Sequence, residues 1–75
     1  MTRNEFLSTM QDVLQTEEEL SLDTLLHDLA EWDSLSIMST MVFLDKNFGV
    51  KTSINDFQDM KSIGDIAVKA GLELS

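Results

Sequence analysis

A chain of 75 residues has room for one domain, and a domain of that size buries only about 60% of the surface its unfolded form exposes. Fourteen acids against five bases leave a net charge of −9, which repels nucleic acid and anionic lipid and favours partners with a basic face. Cysteine is absent, so disulfides, cysteine-ligated zinc and a cysteine nucleophile are excluded.

The N-terminal run Met1-Thr2-Arg3-Asn4-Glu5 is polar, and no stretch of about 20 apolar residues occurs anywhere. The chain therefore reads as one soluble, cytoplasmic domain over residues 1–75, with no membrane insertion. Thr2 and Glu5 have capping-box spacing, which predicts a first helix starting near Thr2. Phe6, Met10, Val13 and Leu14 share one face of it, with Leu7 alongside. The pattern fades at Gln15-Thr16, and Glu17-Glu18-Glu19 is expected in solvent.

Residues 16–32 form a long connection that carries Leu20, Leu22, Leu25, Leu26 and Leu29. A loop with this many leucines is expected to lie on the core, with a short helical turn between Thr24 and Leu29. Asp33 is a good N-cap and Gly49 a good stop, so a second helix is predicted over Ser34–Phe48. Val50 to Ser53 connects it to a single short turn over Ile54-Asn55-Asp56-Phe57. Ser62 and Asp65 form another cap pair, opening a last helix with Ile63, Ile66, Ala67 and Ala70 on its apolar face. Gly71 stops that helix, and Leu72 and Leu74 are expected to fold back. Three main helices, one short helix and no strand predict an all-α, four-helix bundle with a long loop between its first two helices.

The second helix carries two apolar stripes. Ile37, Met41, Leu44 and Phe48 follow core spacing. Leu35, Met38 and Val42 form a second stripe, turned away by roughly 130° at 100° per residue. Either the loop leucines cover this second stripe or it is an exposed docking surface. Phe43 fits neither stripe and is assigned to packing on the side of the third helix.

Candidate chemistry concentrates at Asp33-Ser34-Leu35, where a serine hydroxyl follows the N-cap directly. A lone histidine, His27, offers no catalytic pairing. Asn55, Asp56 and Asp59 lack the spacing and glycine of a calcium loop, and no metal site is predicted. No glycine-rich phosphate loop or catalytic triad is present, so the chain reads as a non-enzyme.

These residues resemble the acyl carrier protein family. The resemblance rests on Asp33-Ser34-Leu35, the apolar helix after it, Phe48-Gly49 at its end, Ser62-Ile63-Gly64-Asp65, and the loop Leu22-Asp23-Thr24-Leu25-Leu26-His27-Asp28-Leu29. It covers nearly the whole chain, in order. The resemblance implies that Ser34 is esterified by 4′-phosphopantetheine, taken from coenzyme A by a separate phosphopantetheinyl transferase. The thiol at the end of that arm then carries an acyl group as a thioester. The resemblance further implies that Asp33 contacts the transferase and its metal, and that Leu35, Met38 and Val42 are the stripe on which partner enzymes dock. Trp32 is expected to anchor the loop beside the serine or to touch the arm. The resemblance also implies an interior able to open around an acyl chain, which Met10, Met38, Met41 and Met60 would suit. Plain core filling is the favoured expectation for Met10, Met41 and Met60.

Two departures point to a specialised member rather than the carrier of bulk fatty-acid synthesis. Glu31-Trp32 precedes the motif, as in carriers that accompany adenylating enzymes or serve polyketide, surface-polysaccharide or modified-amino-acid pathways. On the exposed side of the second helix, Ser36, Ser39 and Lys46 stand where acids are usual, and only Asp45 keeps the charge. Expected partners are the transferase, adenylating or ligase enzymes that load the acyl group, and acyltransferases or synthases, acting on a monomer. An aminoacyl or peptidyl carrier and an unmodified acidic interaction module are the alternatives.

Overall fold

Helices α1 (Arg3–Leu14), α2 (Ser34–Phe48), α3 (Ile54–Gln58) and α4 (Ile63–Ala70) make up a small helical bundle. They are seen in a computed structural model that describes residues 1–72. The expectation for Leu74 lies outside the described residues. No helix among them is long and apolar enough to cross a membrane.

Each helix start is written in local chemistry. The Thr2 hydroxyl accepts from the Glu5 N–H (3.1 Å), and the Glu5 carboxylate accepts from the Thr2 N–H (3.0 Å). Asp65 caps α4, accepting from the N–H groups of Lys61 (2.7 Å) and Ser62 (3.2 Å). A third such start, missed in the sequence, opens α3: Asp56 accepts from the Ser53 N–H at 2.7 Å. Gly49 ends α2 and Gly71 ends α4 in the left-handed conformation, with φ of 67° and 81°. α1 ends the same way on a non-glycine residue, Gln15, with φ of 55°.

The core is built on α1 and α2. Phe6, Met10 and Leu14 are buried on α1, as expected, and Val13 is half-buried. Phe6 meets Phe43 and Phe48 of α2 with ring centroids 6.0 and 6.4 Å apart, while Phe43 and Phe48 stand edge-on at 5.7 Å. Phe43 thus packs on α1, which corrects its assignment to the α3 side. The buried face of α2 runs through Ser36, Thr40, Phe43 and Leu44. Of the expected core stripe only Leu44 is fully buried; Ile37, Met41 and Phe48 are half-buried at its flank. The true face is turned about 85° from the expected one, at 100° per residue. The reason is Thr40, which is fully buried because its hydroxyl donates to the Ser36 carbonyl (2.9 Å).

The long connection lies on the core through Leu20, Leu26 and Leu29, with Leu26–Asp28 forming one 3-10 turn. Leu22 is half-buried, and Leu25 is 39% exposed, against expectation. Three backbone bonds hold this loop to the start of α4. Leu26 N–H reaches the Lys61 carbonyl (2.8 Å), Ile63 N–H the Thr24 carbonyl (3.0 Å) and Gly64 N–H the Leu22 carbonyl (2.8 Å). Leu25 stands opposite Ser62 in this pairing, between the bonded residues Thr24 and Leu26. The glutamates 17–19 are exposed.

Candidate functional site

Ser34 is the first residue of α2 and is exposed. Among the described residues, no hydrogen bond ties up its hydroxyl. Asp33 precedes it as the N-cap, in extended conformation, and its carboxylate accepts from the Ser36 N–H (2.9 Å). That backbone bond, reinforced by the Ser36 hydroxyl, holds the Asp33 carboxyl below its ordinary value. The site therefore offers a free hydroxyl at a helix N-terminus, where unpaired N–H groups and the macrodipole favour a negative charge. Asp33 is the acid beside this position, and the first turn of α2 itself holds none.

The approach to Ser34 is fixed from three directions. The Trp32 N–H donates to the Leu29 carbonyl (3.1 Å). The Trp32 indole, half-buried, packs against Phe57 of α3 with centroids 6.1 Å apart. Trp32 thus anchors the loop to α3. The Ser36 hydroxyl donates to the Glu31 carbonyl and lies 3.0 Å from Oδ1 of Asp33.

Ser36 corrects an expectation. It is only 8% exposed, and Ser39 is half-buried, so neither stands on the open side of α2. The available signal was its place three residues after the N-cap, which turns a side chain back towards the cap. Asp45 and Lys46 are exposed, as expected.

The second stripe is open. Leu35 is 72% exposed, Met38 56% and Val42 54%, so the loop leucines do not cover it. Ser34 and Leu35 begin one continuous outward surface that continues down α2. Beside Val42 lies a groove of about 280 Å³, lined by Met41, Val42, Asp45, Lys51 and Thr52. His27 is exposed and 3.5 Å from Asp28, away from any other catalytic group. No cluster of three histidines or acids able to hold a metal occurs among the described residues.

The family model described as a phosphopantetheine attachment site matches residues 4–67. Among solved structures, the chain is similar to the solution NMR structure of a holo acyl carrier protein from Geobacter metallireducens. Identity is 27%, the match covers 93% of this chain and 82% of that one, and the TM-score is 0.73. No curated protein matches significantly.

Proposed function

Because the chain belongs to the phosphopantetheine attachment site family of acyl carrier proteins, we propose that Ser34 is the residue that bears its cofactor. The chain is a carrier and not an enzyme, and its cofactor is covalent 4′-phosphopantetheine, whose terminal thiol holds a cargo as a thioester. The observation that carries the assignment to Ser34 is its unengaged, exposed hydroxyl at the first position of α2, directly behind the Asp33 cap.

The residues present fit such a group. The Ser34 oxygen is accessible to a transferase and to a phosphorus atom of coenzyme A. As the new oxygen–phosphorus bond forms, the pyrophosphate bond breaks, the adenosine bisphosphate half leaves, and the hydroxyl proton passes to the transferase. The phosphodiester anion that results sits where the helix N-terminus stabilises it. Asp33 has its carboxylate held on the cap by Ser36 and remains exposed for contact with the transferase.

A carrier of this kind works with a transferase and with synthase-type enzymes. Leu35, Met38 and Val42 are their docking stripe in this reading, supported by their exposure next to Ser34. The loading partner is an adenylating or ligase enzyme and the receiving partner an acyltransferase or synthase, in a specialised pathway. That part of the reading is supported by Glu31-Trp32 before the motif and by Lys46 on the exposed side of α2. The cargo is an acyl group and the protein works as a cytoplasmic monomer.

Intact mass tests the assignment. Incubation with coenzyme A, magnesium and a broad-specificity phosphopantetheinyl transferase adds one phosphopantetheine to the wild type and none to Ser34→Ala. A wild type that gains no mass with several transferases overturns the reading in favour of an unmodified acidic interaction module.

A further inference from the structure

The loop-to-helix junction at Ser34 contains one buried hydroxyl that the attachment chemistry does not use. Ser36 is 8% exposed, on the core side of α2, yet both its polar groups turn back towards the junction. Its N–H donates to Oδ1 of Asp33 (2.9 Å), and its hydroxyl lies between that same oxygen and the Glu31 carbonyl. Glu31, Trp32 and Asp33 are the residues that lead the chain into Ser34. Trp32 is held through its ring on Phe57 and its N–H on Leu29. Asp33 is held by the cap. The hydroxyl of Ser36 is the link that joins the Glu31 backbone to this cap, across a separation of five residues.

Resting on the reading of Ser34 as the attachment residue, we propose that Ser36 is a positioning residue for the modification of Ser34. By tying the Glu31 carbonyl to the Asp33 carboxylate it fixes the junction that presents the Ser34 hydroxyl. Alanine at position 36 keeps the backbone N–H bond to Asp33 and suits a helix, so α2 stays formed. What it removes is the tether on Glu31. The Glu31–Asp33 segment then samples more than one path, and Ser34 spends less time in the geometry a bound transferase requires. The side chain of Ser36 faces inward and does not meet the transferase, so the loss falls on the reaction of the bound complex and not on its formation.

The test is the kinetics of phosphopantetheine transfer from coenzyme A, followed by intact mass, for the wild type, Ser36→Ala and Ser36→Thr. For Ser36→Ala, kcat falls about tenfold while KM for the carrier stays within about twofold. Ser36→Thr, which keeps the hydroxyl, recovers to within about threefold of wild type. Far-UV circular dichroism of all three proteins is the same. The inference is overturned if Ser36→Ala reacts at the wild-type rate, if its loss lies in KM alone, if Ser36→Thr is as slow as alanine, or if α2 melts in step with the rate. A wild type that gains no mass is a different result: it overturns the attachment reading itself, and this inference with it.

Discussion

Oδ1 of Asp33 receives both the N–H and the hydroxyl of Ser36, and the carboxyl is held below its ordinary value of 3.8 as a result. A group whose folded value is depressed adds stability above its unfolded value and loses it as pH falls through the folded one. The charge of Asp33 therefore supports α2 at neutral pH, and this support is lost progressively as pH falls from 3.8 through the lower folded value. Asp33→Asn keeps a capping oxygen without the charge. Its melting temperature is expected to lie a few degrees below wild type at pH 7, with the gap closing as pH drops from 3.8 downward. A gap that does not close at any acid pH would show that the charge contributes nothing. Asp33 and Ser34 were readable in sequence because an N-cap acid before an apolar helix is a local signal. Ser36 was not, because serine is scored as a surface residue, and its burial depends on the path of Glu31, which no local pattern specifies.

Both ends of α2 were legible residue by residue, since Asp33 and Gly49 mark them chemically. Its phase was not. A pattern of apolar residues centres the buried face on Ile37 and Met41, whereas the helix centres it on Thr40, whose hydroxyl is satisfied inside the helix. The leucines of the long loop announced that it lies on the core. Its pairing with the start of α4 left no side-chain trace, because it is made by backbone groups. Gly64 is where that pairing shows itself. A Cβ there would stand 2.9 Å from the Leu22 carbonyl oxygen, closer than contact allows. Glycine-to-alanine inside a helix ordinarily stabilises by about 1 kcal/mol. At position 64 the sign reverses: the loop must move and the bond from the Gly64 N–H to Leu22 weakens. Gly64→Ala is expected to lose about 1–3 kcal/mol in urea unfolding, the usual range for overpacking. A gain in stability would mean that the loop yields freely and does not depend on α4.

Across the whole molecule, the net charge of −9 is spread over extents of 26 × 24 × 19 Å. The Lys69–Asp56 ion pair, at 3.9 Å, is exposed and weak and offsets little of this repulsion. At about 0.01 M salt the screening length is about 30 Å, so every acid feels every other; at about 0.1 M it is about 10 Å, shorter than the molecule. Self-repulsion thus opposes folding mainly in dilute buffer. The melting temperature should rise between about 0.01 and 0.3 M sodium chloride and level off beyond. Partner binding through α2 should behave differently. The exposed stripe of Leu35, Met38 and Val42 is apolar, and it is flanked by Lys46 as well as Asp45. Apolar contact is not screened, and a mixed pair of charges offers little net field for a basic partner surface to grip. Taking a loading enzyme from about 0.05 to 0.5 M salt is therefore expected to weaken its affinity less than about threefold, whereas Met38→Ser weakens it about tenfold. A steep loss with salt, and no effect of Met38→Ser, would move the docking surface off this stripe and onto the acidic loop around Glu17 to Glu19.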